Sequence, residues 1–385
     1  MIKIIENKEH PSYTNVFTKE YALKVNHFHQ SIPGYKPTDL ISLKNLSKYL
    51  GLSSLCIKDE STRFGLNAFK GLGGSYCMAR YISQLCHLPI EDLNYEVLHH
   101  QEVQEKIKDI TFVSATDGNH GRGIAWTAHL LGVKAVIYLP KGSTNERAEN
   151  IRKLGAKAII TDLNYDDTVR FASQCEKEKG WVLVQDTSWD GYETIPTTIM
   201  QGYTTIGLEI VSQLEHQPTH IFLQAGVGAF SGALAAFFGD YYKDHKPYIV
   251  VVESDQADCL FKTAQSHDGK LHKVSGDLNT IMAGLACGEP CTIGYKMLEE
   301  YADYFISVSD DVSKRGMRVL GNPLRGDQRI ISGESGAVTT GVVFEAMKDE
   351  KIKEMLHLDS KAHVLCISTE GDTDQVNYRK IVWGE

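Results

Sequence analysis

Seven short runs of β-branched and other apolar residues recur along this chain, each leading into a helical pattern. They are residues 111–115 (TFVSA), 134–139 (KAVIYL), 157–161 (KAIIT), 181–185 (WVLVQ), 219–224 (THIFLQ), 248–253 (YIVVVE) and 363–368 (HVLCIS). The runs are near-continuously apolar rather than alternating, which is the pattern of parallel strands buried on both faces. Strands alternating with helices predict an α/β fold built on an open, doubly wound, mostly parallel sheet. One helix start is legible at residues 143–146 (STNE): Ser143 or Thr144 can accept an amide hydrogen bond, and Glu146 suits the positive helix start. That helix ends near Gly155. Residues 86–109 read as a polar, helical surface excursion and 266–280 as a surface loop. A chain of 385 residues is long enough for two or three domains, or for one large α/β unit with an insertion. No break in composition marks a border.

Charge and hydropathy exclude several classes of function. Forty Lys and Arg stand against 49 Asp and Glu, a formal net charge of −9, and no dense basic block occurs. Nucleic acid and anionic membrane surfaces are therefore poor partners. The longest apolar stretch, residues 221–239, is broken by Gly, Gln and Ser, so no membrane span is expected. The first residues, MIKIIENKEHPSY, carry no apolar core of a signal peptide, and a cytoplasmic location is expected. Of eight cysteines only Cys287 and Cys291 are close. Their spacing, with no matching His or Cys pair, argues against zinc, and no metal is expected. Reduced thiols are the first reading; a local disulfide among Cys259, Cys287 and Cys291 is the alternative.

Four polar or glycine-rich segments fall where strands should end, the usual place for ligands in open α/β sheets. In residues 58–74 (KDESTRFGLNAFKGLGG), Lys70 has Phe69 before it and Gly71, Gly73 and Gly74 after it. A closed, apolar setting lowers a lysine pKa and makes it a Schiff-base former. Residues 114–123 (SATDGNHGRG) suit a tight turn before a helix over 124–131, whose exposed amides can hold a carboxylate. Residues 224–232 (QAGVGAFSG) let phosphate oxygens approach backbone N–H groups at a helix start, though they match neither a Walker loop nor a dinucleotide fingerprint. Residues 364–374 (VLCISTEGDTD) place Ser368 and Thr369 at the last strand end, with Asp372 and Asp374 following as capping acids or, alternatively, a cation site. An amine for the aldehyde, a donor for the ring oxygen, amides for the phosphate and a partner for the ring nitrogen are what a pyridoxal 5'-phosphate site requires.

Longer motifs carry a resemblance. They are K-D-E-S-x-R-F-G-L-N-A-F-K at 58–70, T-D-G-N-H-G-R-G at 116–123, N-Y-D-D-T-V-R at 164–170 and Q-D-T at 185–187. Further matches are Q-A-G-V-G-A at 224–229, A-G-L-A-C-G-E-P at 283–290, R-I-I-S-G-E-S-G-A-V at 329–338 and S-T-E-G-D-T-D at 368–374. In this order they resemble the fold type II pyridoxal phosphate enzymes, which include the serine and threonine dehydratases, and among these the diaminopropionate ammonia-lyases. The resemblance runs over almost the whole chain. It implies α,β-elimination of D- or L-2,3-diaminopropionate to pyruvate and two ammonia, by a homodimer. It also implies a large domain over 1–82 and 193–385 with a small domain, 83–192, inserted.

Carried over residue by residue, the resemblance makes Lys70 the Schiff-base lysine. Asn119 would meet the ring hydroxyl oxygen, and Gly226, Val227, Gly228 and Ala229 would cradle the phosphate. Ser368, or in its place Thr369, would meet the pyridine nitrogen. Thr116, Asp117, Gly118, Asn119 and His120 would bind the substrate carboxylate. Glu334 falls where related dehydratases carry a Glu near the ring. The departure from the dehydratases is Asp117, where they usually have a small residue. A carboxylate beside a substrate carboxylate is costly unless it serves something else. A second substrate ammonium gives it that purpose, so Asp117 and Asp186 are expected to attract the β-ammonium. Freed Lys70 suits one enantiomer as base, and Asp117 the other. A serine or threonine dehydratase is the alternative activity, and an amino-acid-binding module the non-enzymatic one.

Overall fold

The computed structural model describes residues 2–116 and 118–384. By compactness the chain divides into two units. One takes the chain up to Lys19, Pro37–Ala68 and everything from Ile206 onward; the other takes Glu20–Lys36 and Phe69–Thr205. The expected borders at 82/83 and 192/193 both fall inside the second unit, so by compactness Lys70 and the helix after it group with residues 83–192. The reason is close helix packing. A Cβ on Gly123 would lie 3.0 Å from the Lys70 carbonyl, and one on Gly74 would lie 3.1 Å from the Ile124 side chain.

The described strands are β1 (Ile2–Glu6), β2 (Leu40–Ser42), β3 (Ser54–Asp59), β4 (Thr111–Ala115), β5 (Lys134–Leu139) and β6 (Lys157–Ile160). They continue as β7 (Val182–Leu183), β8 (His220–Gln224), β9 (Tyr248–Ser254), β10 (Tyr304–Val308) and β11 (His363–Ser368). The expected strands are all present, within two residues at each end. β1, β2, β3 and β10 are additional to the sequence reading.

In the first unit seven strands run in the order β1-β10-β9-β8-β11-β3-β2. The two edge strands pair antiparallel, β1 with β10 and β2 with β3, and every inner pair is parallel. All five residues of β8 and of β10 are buried, so both faces of the sheet are covered. Leu55, Ile57, Phe222, Val250, Val252 and Ile306 form the centre of its core. Each such side chain contributes roughly 1.5–3 kcal/mol by leaving water. The second unit holds a parallel sheet in the order β6-β5-β4-β7, with Val113, Val136, Tyr138 and Leu183 in its core.

Strand order fixes where chemistry can sit. From β8 the chain moves one way, to β9 and β10, and later returns to the other side of β8 as β11. The loops after β8 and β11 therefore open side by side at a topological switch point, where α/β sheets bind ligands. The second sheet repeats the arrangement: β5 and β6 lie on one side of β4 and β7 on the other, so the loops after β4 and β7 are neighbours.

Candidate active site

The second unit brings Lys70, Asp186 and His120 together. Lys70 stands at the start of the helix Gly71–Leu85, whose first four residues, Gly71, Leu72, Gly73 and Gly74, are all buried. A Cβ on Gly73 would fall 2.6 Å from the Tyr203 ring, so only glycine lets this turn sit so close. Phe69 packs edge-on against Tyr203, with ring centroids 4.8 Å apart, and the Lys70 ammonium lies 5.7 Å from the Phe69 ring centre.

The Lys70 Nζ donates to Asp186, which follows β7. The Lys70 side chain remains 23% exposed, against 9% for Asp186. His120 approaches the same carboxylate oxygen, with Nδ1 3.6 Å from Asp186 Oδ2. Its Nε2 lies 2.9 Å from the Val184 carbonyl, which can only accept, so that nitrogen carries a proton. Burial alone would raise the Asp186 pKa. The charges of His120 and Lys70 outweigh burial and hold it at about 2.

The loop between β4 and the next helix is shaped by its own hydroxyl. Thr116 Oγ1 accepts from the amides of Gly118 (3.0 Å) and Gly121 (3.2 Å), capping the helix Asn119–Leu131 from inside. Gly118 has φ +157° and ψ −71°, a conformation that side chains resist. The helix begins at Asn119, five residues before the expected start, so Gly121 and Gly123 are packing glycines within it rather than turn glycines. Thr116, Gly118 and His120 are buried and Asn119 is half-buried. Asp117 lies outside the described residues. Gln185 was not singled out from sequence. Its fully buried side-chain oxygen accepts from Ser114 Oγ (3.2 Å) and the Ala115 amide (3.1 Å), tying the end of β4 to the residue before Asp186. A polar residue ending an apolar strand was the signal available for it.

The first unit carries the loops after β8 and β11. Gly226 and Val227 are half-buried, and Gly228 and Ala229 are buried at the start of the helix Ala229–Tyr242. Gly228 has φ +95° and brings no side-chain cap of its own to this helix start, whose first amides lack partners within the helix. The loop is held by the Cys291 amide, which donates to the Val227 carbonyl at 2.8 Å. A Cβ on Gly226 would come 3.1 Å from the Gly284 carbonyl and 3.3 Å from Cys287 Sγ.

Ser368 Oγ donates to Ser332 Oγ at 2.7 Å, whereas Thr369 Oγ1 accepts from Gln224 Nε2 at 2.9 Å. Gln224, another polar strand end that the sequence reading passed over, also donates to the Ile367 carbonyl at 2.8 Å. Glu334 opens the helix Glu334–Ala346 and accepts from Asn377 Nδ2. Burial first, and the charge of Glu370 next, push its carboxyl up to about 7.

The flanking acids have structural partners. Asp372 accepts from Asn67 Nδ2 at 3.2 Å, and Asp374 caps the last helix through the Asn377 amide at 2.9 Å. Among the described residues no group of three or more His, Cys, Asp and Glu is arranged to hold a metal ion. All eight cysteines are free thiols, so no disulfide joins Cys259, Cys287 or Cys291. Among the described residues no helix is long and apolar enough to cross a membrane.

The residues present fit pyridoxal phosphate. In the second unit a lysine stands against a carboxylate; in the first, a glycine loop opens a helix and a buried hydroxyl sits at the neighbouring strand end.

Comparison with known proteins gives the same reading. The family described as "Pyridoxal-phosphate dependent enzyme" matches residues 32–370. The diaminopropionate ammonia-lyase of Salmonella typhimurium is 51% identical over 92% of this chain and 90% of its own length. The crystal structure of the holo diaminopropionate ammonia lyase from Escherichia coli superposes with a TM-score of 0.94 at 46% identity, covering 100% of this chain and 97% of that one. The same E. coli enzyme in complex with an aminoacrylate-PLP azomethine reaction intermediate gives a TM-score of 0.91, also at 46% identity, with coverage of 100% and 97%. The chain therefore belongs to the pyridoxal-phosphate-dependent enzymes and, within them, to the diaminopropionate ammonia-lyases.

Proposed function

We propose that this chain converts 2,3-diaminopropionate and water to pyruvate and two ammonia by α,β-elimination. The observation that carries the reading is the Lys70–Asp186–His120 arrangement, in a chain about half identical to diaminopropionate ammonia-lyases along nearly its whole length. When bound, pyridoxal phosphate supplies an aldehyde for an amine and an electron sink that acidifies the substrate Cα–H. Lys70 is the residue to bond that aldehyde, with Asn119 at the ring oxygen, Gly226–Ala229 at the phosphate and Ser368 at the ring nitrogen.

The protein's own work is charge placement. With its pKa held at about 2, Asp186 is an anion at every working pH. Once the Lys70 amine is committed to the coenzyme, the Asp186 carboxylate faces a place for another cation, and the substrate β-ammonium is one. Serine offers a neutral hydroxyl there and gains less. The loop over 116–120 binds the substrate carboxylate. Lys70, released again as a free amine, takes the α-proton on its own face. Asp117 takes it on the other, which gives each enantiomer a base. Asp117→Asn should therefore cost one enantiomer at least about tenfold more than the other in kcat/KM. Equal losses would leave Asp117 only a role in binding.

The working form we infer is a cytoplasmic homodimer, supported by family resemblance, and light scattering on the purified protein tests the dimer. Residues 1–82 with 193–385, and 83–192, are the proposed large and small domains. Pyruvate release with D- and L-2,3-diaminopropionate, beside D- and L-serine, tests the activity. We expect at least one diaminopropionate isomer to run far ahead of serine; serine ahead would move the chain to the dehydratases.

A further inference from the structure

Glu253 is a buried acid that the chemistry above does not use. It stands near the end of β9, a central strand, and is 0% exposed. Its two oxygens accept from the amides of Leu260 (2.9 Å) and Phe261 (2.7 Å). These amides belong to the first turn of the helix Cys259–Ser266, where donors lack partners within the helix. The residue at the N-cap position, Asp258, makes no side-chain cap. Its carboxylate accepts from Ser307 Oγ at 2.8 Å and pairs with Lys262 at 2.9 Å. Capping therefore falls to a residue in the preceding strand. Burial pushes the Glu253 carboxyl well above its ordinary range, and the two amides pull it back.

That first turn lies against the glycine loop. Cys259 Sγ is 3.9 Å from the Gly226 carbonyl, and a Cβ on Gly228 would lie 3.2 Å from both Leu260 methyls. The capped turn thus touches both glycines that open the phosphate cradle. A shift of the turn by a fraction of an ångström reaches the loop directly, because the interior between them is close-packed.

We propose that Glu253 is a positioning residue for the phosphate-binding loop, fixing the place of the Gly226–Ala229 amides through the first turn of the helix Cys259–Ser266. The proposal rests on the reading of that loop as the phosphate cradle. Substitution of Glu253 by Gln keeps the shape but sets an N–H donor against one of the two backbone donors. The readout is binding of two ligands to the full-length protein freed of coenzyme, followed by absorbance: pyridoxal 5'-phosphate and pyridoxal, which lacks the phosphate.

Glu253→Gln should weaken pyridoxal phosphate roughly tenfold or more and leave pyridoxal within about twofold, since only the phosphate senses the loop amides. Equal losses for both ligands, or no loss for either, would overturn the proposal. Gly228→Ala separates it from the reading beneath it. If Gly228→Ala is phosphate-selective and Glu253→Gln is not, Glu253 loses its role and the cradle stands. If neither is selective, the cradle itself is misassigned. Should Glu253→Gln fail to fold, Leu260→Ala removes the contact with Gly228 while keeping the cap. It should show a smaller loss, again for the phosphate ligand alone, and an unselective result overturns the proposal.

Discussion

Two lysines twelve residues apart in one motif, Lys58 and Lys70, illustrate how environment assigns a role. Each meets a carboxylate, Glu209 for Lys58 and Asp186 for Lys70. Lys58 is sealed. Its side chain is 0% exposed, and it donates to the Thr38 carbonyl (2.7 Å), Glu209 (2.7 Å) and Gln213 (2.9 Å). Arg63 joins the same cluster, bonding both Glu60 and Glu209. Two cations and two anions close the network with no net charge. A lysine whose three donors are all used cannot turn to a substrate. Lys70 keeps 23% of its side chain exposed and leans on a carboxylate that it shares with His120. Saturation suits the first lysine to structure; access suits the second to the chemistry proposed for it.

The largest effect that can break this contrast is on turnover. Lys70→Ala should lower turnover roughly a thousandfold or more and remove the absorbance of the lysine-bound coenzyme. Its urea unfolding midpoint should fall less than that of a Lys58 variant, because His120 still faces Asp186. A surviving coenzyme chromophore would remove Lys70 from its place in the site.

Lys58→Met should do the reverse. Taking one partner from a buried ion network costs about 3–5 kcal/mol, because the remaining carboxylates stay in low dielectric without their counter-charge. The folded fraction should keep kcat/KM within a few-fold. Urea unfolding and steady-state kinetics on one preparation measure both. Large kinetic loss at unchanged stability would mean that Lys58 is not merely structural.

Asp186→Asn sharpens the chemical side. It removes the anion proposed to face the β-ammonium but retains a hydrogen-bonding group of the same shape. A charge-assisted bond contributes about 1.5–3 kcal/mol, so kcat/KM for diaminopropionate should fall at least about tenfold more than for serine. Parallel losses on the two substrates would assign Asp186 to holding Lys70 alone.

How far the sequence revealed this depended on the distance over which a residue acts. Most inner parallel strands were legible because burial on both faces writes itself into consecutive residues, but β10, buried at all five positions, does not stand out in the sequence. β3 was not legible, because it carries Lys58 and Asp59, and nothing local announces that Lys58 has a partner at Glu209, 151 positions away. β1 and β2 are edge strands with exposed positions and no continuous apolar run. Lys70 and the glycine loops were legible as motifs, but the meaning of individual glycines was not. Gly121 and Gly123 read as turn residues, yet a Cβ on Gly121 would meet Thr116 at 2.4 Å and one on Gly123 the Lys70 backbone at 3.0 Å. His120 beside Asp186 and Gln185 beneath β4 depend on the pairing of β4 with β7, which only the folded sheet supplies.

The smallest expected effect lies in acid, where the two clusters should behave alike. Asp186 and Glu209 are each held at about 2, against ordinary values of 3.8 and 4.5. For Asp186, burial opposes the shift, and His120 and Lys70 produce it. For Glu209, burial again opposes it, and Arg63 and Lys58 produce it. A carboxyl whose folded pKa lies below its unfolded one stabilises the fold above the unfolded pKa. That stability disappears as pH falls through the folded pKa, so the window runs from about pH 4.5 down to about 2. For Asp186 the shift amounts to about 2 kcal/mol. Unfolding free energies between pH 6 and about 2.5 should therefore fall less steeply in Asp186→Asn than in the parent, and likewise in Glu209→Gln. The two variants should differ in their neutral-pH stability, where loss of Glu209 leaves Lys58 and Arg63 buried with one anion between them. An Asp186→Asn curve parallel to that of the parent across this window would mean that Asp186 is not an anion held by Lys70 and His120, and the chemical half of the contrast would lose its charge.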